Sequence, residues 1–138
     1  MPNTLPEPPV KTPATAPPRP LPRPLVVALA YDGLCTFEFG VAVEVFGLPR
    51  PELGPDWYRF AVCALDPGPL RMTGGVQLLA DGGLDLLEEA QTIVVPGWRG
   101  AAEPVPEALT DALCRAHARG PGCCRSVRGS SCWPPPAC

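Results

Sequence analysis

Residues 25–51 read LVVALAYDGLCTFEFGVAVEVFGLPRP. Leu25 to Ala30 are consecutive apolar residues directly after Pro24, the pattern of a strand buried on both faces of a parallel sheet. Asp32-Gly33 marks a turn. Thr36 is placed to cap a helix in which Phe37, Val41, Val45 and Phe46 recur at helical spacing, until Gly47 and Pro49 stop it. A buried strand running through a turn into a helix is the opening unit of an α/β domain.

The following segments repeat that grammar. Trp57 to Asp66 (WYRFAVCALD) is aromatic and β-branched, which predicts a second strand. PLRMTGGVQLLADGG breaks at Gly74-Gly75 between two short apolar runs, which predicts a small hairpin. Leu84 to Ala90 reads as a short helix, and Thr92 to Val95 as a fully apolar strand that runs straight into Pro96-Gly97. Pro106 opens a last helix with Ala108, Leu109, Leu113 and Ala116 on one side, Arg115, His117 and Arg119 near its end, and Gly120 as stop. Strands alternating with helices imply a mainly parallel sheet covered on both faces, with the ligand site beyond the carboxyl ends of the strands. A further buried strand should follow Gly120, and no apolar run is there.

Composition sets the outer limits. The chain has 138 residues, 46% hydrophobic and 18% charged, with a net charge of −3, which fits one globular domain. An acidic chain is a poor binder of phosphate backbones, so any role on DNA must come from another domain. Residues 1–24 are dominated by proline and read as an extended tail; PPRPLPRP within it has the form of a polyproline II ligand, or is simply a spacer. Neither a secretory signal nor a membrane-length apolar run is present, so the expected compartment is the cytoplasm.

Two loops follow buried strands and hold the candidate site residues. Glu38, between Phe37 and Phe39, could be a partly desolvated carboxyl that donates a hydrogen bond, or a first-turn acid favoured by the helix dipole. Gly97 to Gly100 could present backbone N–H groups to an anion, or be a turn and nothing more. Trp98 and Arg99 could stack on and pair with an acidic ligand, or face solvent. Glu44 reads as a polar position, His117 as a surface residue that complements the helix dipole, and Cys35 and Cys63 as buried apolar residues. Cys114 and His117 with Cys123, Cys124, Cys132 and Cys138 match no zinc-knuckle spacing. The expectation is no metal and no cofactor.

Taken together, YDGLCTFEFGVAVEVFGLPRPELGPDWYRFAVCALDPGPLR, TGGVQLLADGGLDLLEEAQTIVVPGWRG and PVPEALTDALCRAHARG resemble the amino-terminal domain of a group of bacterial transcriptional regulators. These join a ThiJ/PfpI-like (class I glutamine amidotransferase-like) domain to an AraC/XylS-type helix-turn-helix domain. The match runs from Leu25 to Gly120. The resemblance implies a flavodoxin-like three-layer α/β sandwich, here incomplete at its C-terminal end, that senses an unidentified small molecule. It also implies that Glu38 faces a cysteine at a strand-to-helix elbow, beside the backbone of PGWRG. Binding of DNA would run through the second domain, a homodimer is compatible, no membrane is involved, and catalysis is not implied. The alternative is a PfpI-like hydrolase, glyoxalase or amidotransferase-type enzyme using the elbow cysteine with Glu38.

The family continues after the position of Gly120 with a buried strand, an elbow cysteine and an alanine-rich helix. Residues 121–138 read PGCCRSVRGSSCWPPPAC instead. If one nucleotide was lost near Gly120, each visible codon's first base becomes the middle base of a shifted codon, and a middle T always encodes Phe, Leu, Ile, Met or Val. Cys and Trp codons, and most Ser codons, begin with T. With third bases free, the segment decodes as Ala-Arg-Leu-Leu-Ser-Ile-Cys-Ser-Gly-Val-Phe-Val-Leu-Ala-Ala-Ala-Gly-Leu, in which the hydrophobic positions are largely forced and the elbow cysteine is permitted. Residues 121–138 thus read as a frameshift product that ends the chain before its elbow and its helix-turn-helix. Loss of a central strand predicts an unstable or poorly soluble chain.

Overall fold

The computed structural model describes residues 23–55, 57–100, 102–119 and the backbone of 124–126. Most of the proline-rich tail, and Cys123, Cys132 and Cys138, lie outside the described residues. The hydrogen bonds of the fold already include Arg23 and Pro24: Pro24 O accepts from the Arg59 N–H at 2.9 Å.

β1 (Leu25–Ala30) is the centre of the sheet, and all of its residues are buried. It pairs in parallel with β2 (Arg59–Ala64), Leu25 opposite Arg59, and on its other edge with β5 (Thr92–Val95), Val26 opposite Thr92. A strand with sheet on both edges and helices on both faces has no wet side, hence the unbroken apolar run. A short strand, β6 (Cys124–Ser126), pairs in parallel with β5, giving the order β2-β1-β5-β6. No local pattern marks this strand, because three residues with no apolar run carry no period; the open edge of β5 supplies the pairing.

From β1, the chain crosses by α1 (Thr36–Ala42) to β2 on one side; from β5, it crosses by α2 (Glu107–Ala118) to β6 on the other. Right-handed crossovers stepping in opposite directions place the two helices on opposite faces. The result is the three-layer α/β arrangement that the alternation of elements implied. The expected hairpin is present as β3 (Leu70–Arg71) antiparallel to β4 (Gln77–Leu78), with Gly74 and Gly75 both at φ +81°. A left-handed pair of that kind suits glycine.

Several details differ from the sequence reading. Thr36 is not the cap of α1: Cys35 holds that position, and the Thr36 hydroxyl donates instead to Thr73 O at 2.6 Å. The helix widens into a π-helix at Val43–Gly47. Its expected inner face is largely outside: Phe37 is 79% exposed, and Val41 and Val45 are exposed too. Phe39 and Ala42 are buried instead, with Val43 and Phe46 packed beside them. The helix carries two apolar stripes, and periodicity alone does not say which one meets the sheet. In α2 the buried set is Leu109, Ala112, Leu113 and Ala116, so Ala108 gives way to Ala112. The expected short helix is present as a 3₁₀ helix, Leu84–Glu88, and ends before Ala90. It is held from outside: the Arg119 guanidinium donates to Leu87 O at 3.1 Å, and Arg115 pairs with Glu88 at 3.4 Å.

Candidate functional site

β1 hands the chain to one side of the sheet and its neighbour β5 hands it to the other, so the crevice between their carboxyl ends is the topological switch point. Tyr31 follows β1 there and Pro96-Gly97 follows β5, tied by a long hydrogen bond from the Tyr31 hydroxyl to Pro96 O at 3.4 Å. The loop from Asp32 to Thr36 is stitched to the β3–β4 hairpin. Gly33 N–H donates to Arg71 O at 2.7 Å, Arg71 N–H to the Asp32 carboxylate at 2.9 Å, and Thr73 N–H to Leu34 O at 2.9 Å. This fixes where α1 starts, and therefore where Glu38 points.

Glu38 points at Gly97. Its carboxylate lies so close to the glycine that a Cβ there would collide with Oε2. Gly97 also has φ +71°, a conformation that side chains disfavour. Two independent reasons, space and backbone, thus require glycine at this position. The aromatic neighbours of Glu38 do not shield it as expected, since Phe37 turns outward and Phe39 into the core; the partial burial of the carboxyl goes with its seat against the PGWRG turn. The N–H of Gly97 is spent on Val95 O at 2.9 Å, so it is not the exposed anion donor that the glycine turn suggested.

Trp98 and Arg99 are organised by the β1 side of the crevice. The Trp98 ring sits 4.9 Å from that of Tyr31, and its indole N–H donates to Glu103 O at 3.1 Å. The Arg99 guanidinium lies over Tyr31 at 5.3 Å and Trp98 at 5.7 Å, donates to Asp32 O at 3.1 Å and pairs with Asp66 at 3.5 Å. A planar cation over two rings, with a carboxylate on its flank, is a fixed wall of the crevice.

Solved structures share the fold. A protein described as a transcriptional regulator from Vibrio parahaemolyticus superposes with a TM-score of 0.60 at 18% identity, covering 72% of this chain and 53% of that one. Drosophila melanogaster DJ-1beta gives 0.55 at 22% identity, over 70% and 51%. An AraC family transcriptional regulator from Pseudomonas putida gives 0.51 at 24% identity, over 70% and 59%. The chain has the DJ-1/ThiJ fold. It spans about half the length of the solved structures that it matches. No protein-family model matches it, and no curated protein is significantly similar.

Within this DJ-1/ThiJ fold, the site residues proposed from the sequence fall together: Glu38 touches Gly97, and Trp98 and Arg99 continue the same turn. Tyr31 and Asp66 belong with them and were missed, although a tyrosine directly after the first buried strand stands where switch-point ligand sites form. His117 and Glu44 are exposed, in keeping with their surface reading. Cys35 is half-exposed rather than buried, at the head of α1. Cys63 is buried in β2, and burial pushes its thiol up to about 12 from 9.0. Cys114 takes part in a disulfide. Among the described residues, no cluster of His, Cys, Asp and Glu could hold a metal ion, and no helix is long and apolar enough to cross a membrane.

Proposed function

We propose that this chain is the small-molecule-sensing domain of a transcriptional regulator, with the crevice of Glu38, Gly97, Trp98 and Arg99 as its ligand site. The observation that carries the reading is the Glu38 carboxylate seated on Gly97 at the switch point, where α/β sheets collect ligands. The regulators among the structural neighbours support the same class. Glu38 would accept or share a proton with a polar ligand group, Trp98 would offer a stacking surface, and the Arg99 guanidinium, held over Tyr31 and Trp98, would pair with a ligand anion. Contact with DNA would be made by a second, helix-turn-helix domain.

The register of β6 supports the shifted frame. β6 ends at Ser126, which lies opposite Val95 in the parallel register, one step before Pro96-Gly97. The codon that the shifted frame permits as cysteine straddles Ser126 and Val127, so the elbow would fall beside the PGWRG turn and Glu38. The same register favours the enzyme as the second reading, because an elbow thiol there would have an acidic neighbour.

Sequencing the locus tests the frame: a shifted frame continuing into a helix-turn-helix is expected, and an open reading frame with none in any register removes the proposal. Gel-shift assays on the frame-restored protein, with and without metabolites, then test the function. Metabolite-dependent DNA binding that is lost in Glu38→Ala is expected. Turnover of an aldehyde or amide without DNA binding would establish the enzyme instead.

A further inference from the structure

The amino end of the sheet carries a second, unrelated arrangement. Between the π-helical end of α1 and the start of β2 lies a groove of about 660 Å³, within the size range of small-molecule sites. Arg23, Arg50 and Arg59 line it, and no carboxylate does among the described residues, although the chain as a whole is acidic. Arg23 satisfies its donors on backbone carbonyls, Trp57 O at 2.7 Å and Tyr58 O at 3.0 Å, which leaves its charge uncancelled. Arg50 donates to Glu44 O at 3.2 Å and meets Glu52 only at 3.8 Å on the surface. Arg59 makes no ion pair among the described residues.

The walls are aromatic and braced. Tyr58 stands edge-on to Phe46 at 5.3 Å and to Trp57 at 5.0 Å, and Phe60 completes the lining. The indole N–H of Trp57 is buried with no acceptor. A buried donor without a partner is costly and uncommon in native proteins. Three arginines beside a row of ring faces and edges, on a chain that is acidic overall, have one complement: an anion attached to a flat ring.

We propose that this groove is a binding site for a small planar aromatic acid, separate from the Glu38 crevice. The two sites lie at opposite ends of the parallel strands, which at six residues are about 20 Å long. α1 and its π-helical extension run from Glu38 at one site to Phe46 and Gly47 at the other. The proposal extends the sensing reading by adding a site, and it stands or falls without the Glu38 crevice.

The test uses the ¹⁵N-labelled full chain and three probes: 2-naphthoate, the neutral 2-naphthalenemethanol, and cyclohexanecarboxylate, which keeps the charge and loses the ring. The indole N–H resonance of Trp57, assigned with Trp57→Phe, reports this groove, and that of Trp98 reports the crevice. Saturable movement of the Trp57 signal by 2-naphthoate is expected, with each of the other two probes about tenfold weaker or more. Arg59→Ala, on an exposed side chain, should weaken 2-naphthoate by about fivefold while leaving the remaining spectrum in place. An unmoved Trp57 signal, equal binding of the neutral alcohol, or movement of Trp98 alone would overturn the proposal. The last of these outcomes would leave the crevice reading standing.

Discussion

At the carboxyl end of β1 and β5, polar groups are matched to one another; at the amino end of β1 and β2, they are left open. Arg99 has Asp66, Asp32 O and two rings, and Trp98 spends its indole N–H on Glu103 O. In the groove, Arg59 has no ion pair among the described residues and the Trp57 indole has no acceptor. The same strands carry both ends, so the contrast comes from the loops. The crevice is built by loops cross-stitched through the hairpin, whereas the groove is bounded by the end of a helix, a proline-rich turn and the first residues of an outer strand. The first has its geometry set by the fold; the second has donors and charge that a ligand would complete.

The largest contrast should be chemical. Cys63 lies in the apolar slab between the two ends and Cys35 at the rim of the crevice. With the Cys63 thiol pushed up to about 12 by burial, native-state iodoacetamide labelling read by mass spectrometry should modify Cys35 at least about a hundredfold faster. Equal rates would mean that the slab opens. Because the folded state binds this proton more tightly than the unfolded chain, the stabilisation from the protonated thiol is complete below pH 9.0 and is lost as pH rises toward about 12. Cys63→Ala should remove that part of the alkaline decline.

Next comes Gly97→Ala, which sets a methyl against the Glu38 carboxylate at φ +71°. It should cost about 2 kcal/mol or more by chemical denaturation. Adding Glu38→Ala should restore the steric part and leave about 1 kcal/mol of backbone strain; no restoration would show that the two residues do not press on each other. A smaller effect separates the two tryptophans. Trp98→Phe should cost about 1 kcal/mol more than Trp57→Phe, because only the former gives up a satisfied hydrogen bond. The smallest effect should be in the arginines: Arg99→Ala should lose up to about 1 kcal/mol, and Arg59→Ala less than about 0.5 kcal/mol, in the same assay. Equal losses would erase the distinction between a matched and an open end.

Legibility follows the same division. β1, β5 and α2 stood out because burial on both faces, or on one stripe, imposes an unbroken or periodic apolar pattern. The inner face of α1 did not, since Phe37-Val41-Val45 and Phe39-Ala42-Val43-Phe46 are both apolar and the sheet chooses between them. Thr36 looked like a cap because threonine commonly is one, but Thr73, 37 residues away, takes its hydroxyl. Glu38 and the PGWRG turn could be flagged as loop residues after buried strands. Their contact, and the place of Tyr31 and Asp66 beside them, could not. The groove was invisible, because Arg23 and Trp57 are 34 positions apart and meet only across the sheet.

The sequence by itself determined the alternation of strands and helices and the crevice as the place to look. Those are local or periodic signals, written in neighbouring residues by the need to bury one face and turn at its end. Only the tertiary structure decided which helix face is inside, that Glu38 rests on the bare Cα of Gly97, and that Arg23 joins Arg50 and Arg59 along one groove. Such facts depend on distances between segments far apart in the chain, which the register of a parallel sheet and the crossing of its helices set, and which no local pattern encodes.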